Sequence, residues 1–157
     1  LKKYGYLSLC IVCMTAIFLF SAQNGDTSNN TSNFVITLLE QLFHLDIEKL
    51  SPSLLEMLSF VVRKCAHMSE YALLCILWVL YMKEAHFTKA YMLAYGLTVI
   101  YAVSDEMHQL FVPGRSAQLS DVCIDACGAA IGLLMICLWC RWRQRKYQTR
   151  AENSDHF

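Results

Sequence analysis

The chain has 157 residues, of which 56% are hydrophobic and only 17% charged, with a formal net charge of zero. Its apolar residues lie in long blocks, the distribution of a membrane protein, and length allows one domain. The eight cysteines do not read as a disulfide scaffold, because all but Cys65 fall inside apolar runs where a small thiol packs.

A first run, from Tyr4 to Phe20, follows Lys2 and Lys3 and is just long enough to cross a bilayer. A cleaved signal segment ending near Ser21-Ala22-Gln23 is the alternative. From Ser21 to Asn33 the residues have loop chemistry. Val35, Leu38, Leu39, Leu42 and Leu45 or Asp46 then recur at helical spacing over a length too short to span. This predicts an amphipathic helix in the first outer loop, on the interface or over the bundle mouth.

Ser51-Pro52 is a helix start, and the pattern continues without Gly or Pro to Met82, with Cys65 to Met82 as the spanning part. Lys83 to Lys89 form a charged link. A third run extends from Ala90 to Val112 and closes on the turn Pro113-Gly114. The fourth runs from Leu119 to Trp142, where Trp139 and Trp142 beside arginines make an interfacial anchor. Residues 143–157 read as a frayed, basic cytoplasmic tail.

The expected fold is therefore all-α. It is a polytopic membrane bundle of about four transmembrane helices, at about 4–20, 65–82, 90–112 and 119–142, within a transmembrane domain of residues 1–142. Nine Lys and Arg residues lie in the N-terminal stub, the second link and the tail, against Lys49, Arg63, Lys64 and Arg115 elsewhere. Both termini are then cytoplasmic. Membrane topology accounts for the tail arginines, so nucleic acid is not an expected partner.

Ionisable groups inside spans are costly and mark function. His67 and Glu70 share one face of the second span, Asp105, His108 and Gln109 one face of the third, and Asp121 and Asp125 one face of the fourth. Each stripe falls within about three turns of the outer boundary, which predicts an outward-facing polar pocket. Arg115 sits on the turn joining two stripes, where its guanidinium fits a carboxylate or phosphate. Candidate binding residues are Arg63, Lys64, Glu106, Gln109, Arg115, Asp121 and Asp125. His67, Glu70, Asp105 and His108 are catalytic candidates and metal-ligand types, although no catalytic role, metal or cofactor is assigned from their spacing. Each of these groups has a purely structural reading as a helix-to-helix hydrogen-bond partner, and Gly128 with Gly132 reads as a close-packing pair.

At these residues the chain resembles the VanZ-like family, small membrane proteins named after one associated with teicoplanin resistance in enterococci. The matching pieces are Phe20 to Ser28 (FSAQNGDTS), Arg63 to Leu74 (RKCAHMSEYALL) and Ser104 to Gly132 (SDEMHQLFVPGRSAQLSDVCIDACGAAIG). The resemblance implies a bacterial cytoplasmic-membrane protein of four or five helices in the cell envelope, with antibiotic resistance attached to the naming member.

Three functions remain open at this point. One is a pocket for an anionic membrane lipid, a lipid-linked wall precursor or a lipoglycopeptide. Another is a membrane-embedded hydrolase or transferase on a lipid-linked substrate, with His67 or His108 as base and Glu70, Asp105 or Asp121 orienting it. The third is a transporter or proton relay, for which an oligomer would be needed.

Overall fold

The structure is a computed structural model describing residues 1–44, 51–113, 115 and 118–154. Those residues form five helices and no strand: α1 (Lys2–Ser21), α2 (Gly25–Phe43), α3 (Pro52–Glu84), α4 (Ala90–Gln109) and α5 (Leu119–Ser154). Three of them, α1, α3 and α5 over Leu119–Gln148, are long and apolar enough to cross a membrane. Helix α4 matches α1 in length, but its apolar run is broken by Ser104-Asp105-Glu106 near its end.

α3 packs against each of the other helices. It is unbroken, as its sequence predicts, and begins on Ser51-Pro52 with proline in the first turn. It stops after Glu84 because His86 adopts a left-handed conformation, φ 60°. The Phe87 N–H then returns to the Met82 carbonyl and the His86 N–H to that of Lys83, so the last carbonyls are satisfied. α5 runs parallel to α3 in backbone contact: a Cβ on Gly128 would fall on the Met68 carbonyl oxygen, and one on Gly132 on that of Ala72. The close-packing pair thus sets the register between the two helices.

α1 lies antiparallel to α3 and beside α4. Ile17, Tyr71, Leu74 and Ala102 form one buried cluster there. The Tyr101 hydroxyl donates to the Met14 carbonyl at 2.6 Å. α1 is thereby an integral part of the bundle. Around the rest of the surface large apolar side chains point outward, among them Ile11, Val12 and Leu19 on α1 and Leu134, Met135 and Leu138 on α5. Acyl chains would solvate such a surface; water would not.

Three sequence expectations are corrected. The segment Ser21–Asn33 is not a loop throughout, since α2 already begins at Gly25. Polar residues with modest helix propensity are carried by tertiary contact: Ser32 and Ile36, four apart, are buried, and Ser59 of α3 donates to Asn33 at 2.8 Å. The tail does not fray at Arg143, because α5 continues to Ser154. Residues with good helix propensity are joined there by cation–aromatic contacts one turn apart, Arg143 over Trp139 and Lys146 over Trp142. The third run ends as a helix at Gln109 rather than Val112, since the residue before Pro113 disfavours helical geometry. Leu45, Asp46, Lys49 and Gly114 lie outside the described residues.

Candidate functional site

The ends of α1 and α4, the start of α5 and residues 63–70 of α3 meet at one end of the bundle. The connection after α4 is a tight turn around Pro113 in which the Arg115 N–H returns to the Val112 carbonyl at 3.2 Å. At the entry to α5, the Gln118 N–H donates to Glu106 Oε2 at 3.0 Å. A carboxylate of α4 thus takes one of the donors that a helix start exposes. Asp121 occupies the first turn of α5, where the helix dipole favours negative charge.

A cleft of about 150 Å³ opens among these elements. Arg63, Lys64 and His67 of α3, Glu106 and Gln109 of α4, Arg115 and Gln118 of the connection, and Asp121 and Asp125 of α5 line it, with Phe60 and Ile124 as its apolar parts. All seven residues predicted to bind, together with His67, therefore border one cavity. Lys64 Nζ lies 2.6 Å from Asp121 Oδ1, a pair at 18% exposure on each side. Glu106, Gln109 and Asp125 are buried.

Arg115 is fixed from two directions. Its Nε donates to the Gln23 carbonyl just past α1 at 3.0 Å, and Nη1 donates to Gln109 Oε1 at 3.3 Å. The other guanidinium N–H groups remain available to a ligand. Burial lowers its pKa from the ordinary arginine value, Arg63 acts in the same direction, and Asp105, Glu106 and Asp121 oppose both. An arginine so placed stays charged at neutral pH.

The remaining candidates do not enter this cleft. Glu70 lines a neighbouring chamber between α1, α2 and α3. Asp105 is buried beside it, where Gln109 Nε2 donates to Ser21 Oγ at 2.8 Å and to Asp105 Oδ2 at 3.3 Å. Asp105 Oδ1 and the Tyr71 hydroxyl are buried, and neither has a well-formed hydrogen bond among the described residues. His108 packs on Phe18 with ring centroids 4.4 Å apart, and its Nδ1 is buried without a hydrogen-bond partner among the described residues. His67 and Glu70 border the neighbouring chamber together, whereas α4 turns Asp105 and His108 toward α1 and Glu106 and Gln109 toward the cleft.

A family model for VanZ/LLP1 matches residues 6–140. The chain belongs to the VanZ/LLP1 family. This agrees with the resemblance read from the sequence, and with its helices it makes the chain a multi-pass membrane protein. No curated protein and no solved structure matches it.

In this VanZ/LLP1 chain no three His, Cys, Asp or Glu side chains group so as to hold a metal among the described residues. The eight cysteines are all free thiols. Sequence reasoning missed Phe60, Gln118 and Ile124 in the wall and Ser21 and Gln23 behind Arg115. Gln118 acts through its backbone N–H and Gln23 through its carbonyl, groups every residue carries, so side-chain pattern held no signal for them.

Proposed function

We propose that this VanZ/LLP1-family protein uses the cleft to bind the anionic group of an amphiphile: a membrane lipid, a lipid-linked wall precursor or a lipoglycopeptide. In this reading α1, α3, α4 and α5 all span a bacterial cytoplasmic membrane, both termini are cytoplasmic and the cleft opens to the outside. The excess of Lys and Arg on the other connections supports that orientation.

The observation that carries the reading is Arg115. It is half-buried, held by Gln23 and Gln109, and lines the cleft with Arg63 and His67. A preset guanidinium in a partly dry site binds phosphate or carboxylate well, because little entropy is lost when the anion arrives. Photo-crosslinking with a lipid probe and a lipid II probe tests it. Arg115→Ala is expected to lower labelling about tenfold, the equivalent of roughly 1.4 kcal/mol. Labelling equal to the parent's overturns the proposal. If the amphiphile is a lipoglycopeptide, expression in a susceptible bacterium raises the inhibitory concentration of teicoplanin, and Arg115→Ala abolishes that rise.

One observation favours a hydrolase or transferase as the second reading: His67 borders the cleft together with Asp121 and Asp125, an imidazole with carboxylates at hand for proton transfer. Mass spectrometry of lipids from cells expressing the parent or His67→Ala separates the two. A lipid species that changes with His67 favours chemistry over binding.

A further inference from the structure

We infer that the ligand is a phosphodiester lipid with an amine or hydroxyls at its far end, held across two chambers with the phosphate at their common wall. This rests on the cleft being an amphiphile site, as proposed above, and adds the class of head group and the place of the tail.

Beside the polar cleft lies the second chamber, about 190 Å³, where Phe20 of α1, Val35 of α2 and Val62 and Ala66 of α3 form the apolar part of a wall that Gln23, Thr31, Ser32 and Glu70 complete. The two cavities share Arg63, His67 and Arg115. A cationic partition with an apolar space on one side and a polar space on the other matches the order of a phospholipid: acyl chain, phosphate, terminal group. Phe20, part of the chamber wall, is 50% exposed, so that wall reaches the outer surface, where the rest of an acyl chain would lie in the bilayer.

The polar side does not suit a simple anion. Three carboxylates, from Glu106, Asp121 and Asp125, border it with the three cations Arg63, Lys64 and Arg115. Two of the acids are already served: Asp121 by Lys64 and Glu106 by the Gln118 N–H. Asp125 is only 3% exposed overall, and its side chain borders the cleft. A carboxyl in the wall of the cleft offers an acceptor that a donor on the ligand can meet. An ammonium or a hydroxyl beyond the phosphate supplies that donor, whereas a bare phosphate or an alkyl ester does not.

Native mass spectrometry of the full chain in detergent tests both halves with four probes. They are dioleoyl phosphatidylethanolamine, dioleoyl phosphatidylglycerol, dioleoyl phosphatidylmethanol and water-soluble glycerophosphoethanolamine. The first two are expected to bind about tenfold tighter than phosphatidylmethanol, and Asp125→Asn to remove most of that preference. Val35→Trp and Val62→Trp, on different helices, fill the apolar chamber. Each is expected to weaken phosphatidylethanolamine about tenfold while glycerophosphoethanolamine binds as before, which also reports an intact cleft. Phosphatidylmethanol binding as well as the other two lipids overturns the assignment of the terminal group. Unchanged lipid binding in both Trp variants overturns the assignment of the tail. If Arg115→Ala weakens none of the probes, the amphiphile reading itself falls; if it weakens all while the Trp variants are silent, only the two-chamber arrangement falls.

Discussion

Where α3 passes into α4, the bundle closes on Val79, Met82, Ala90, Ala94 and Ile136, and Lys83 joins the helices by donating to Tyr91 and Cys140. At its other end the same helices carry Arg63, Lys64, His67, Glu106, Gln109, Asp121 and Asp125 around an open cleft. One end is filled and the other is left with space. The comparison separates what holds these helices together from what they hold. Apolar packing dominates the filled end, whereas at the cleft end the polar groups both tie helices together and line the open space.

The sharpest way to break this picture is at the shared spine. Gly132→Leu forces α5 off the Ala72 carbonyl and is expected to cost at least ~3 kcal/mol or prevent folding, read as loss of the thermal transition in detergent. Val79→Ala at the filled end should cost about 1 to 2 kcal/mol, since it leaves a void in a buried cluster. At the cleft end, Asp125→Asn should change the same unfolding temperature little or raise it. The substitution keeps the side chain's shape and one acceptor oxygen at the cleft wall, and a destabilisation above roughly 2 kcal/mol would make Asp125 a structural residue after all.

A smaller effect is expected from the pair at the cleft rim. A double-mutant cycle on Lys64→Ala and Asp121→Ala should give a coupling of about 1 kcal/mol or less, reduced by salt, because both side chains keep contact with solvent. At the filled end, His86→Gly should stabilise by up to ~1 kcal/mol, glycine being easier to hold at positive φ where α3 stops. A neutral result there would show that the cap is relaxed by its neighbours.

Much of this was legible from residue spacing. The proline start of α3, the Gly128 and Gly132 contact and the turn at Pro113 follow from local chemistry, and each appears where the pattern puts it. The gathering of charges at one end also follows, because helices of known direction bring like depths together. Rotation of α4 was less legible. Asp105 and Glu106 are neighbours about 100° apart on the helix, and only packing against α1 decides that Asp105 turns to Ser21 and Gln109 while Glu106 lines the cleft. The first turns of α2 were hidden for a different reason: Ser, Thr and Asn suit turns and helix ends alike, and the contact with Ser59 that favours the helix comes from residues distant in sequence.

Unbroken over 33 residues, α3 measures about 50 Å, well beyond the ~30 Å of hydrocarbon that a span must cross. In the proposed orientation, with its Lys83 end at one surface, its first turns and the α2 helix fastened to them stand clear of the acyl region. On that proposed placement Arg63 and Lys64 lie about 30 Å along the axis from Lys83, at the hydrocarbon edge, and His67 about one turn deeper, still far from the midplane. A ligand arriving from the aqueous side or sliding in from the leaflet reaches them without dehydrating its charge across the oily interior.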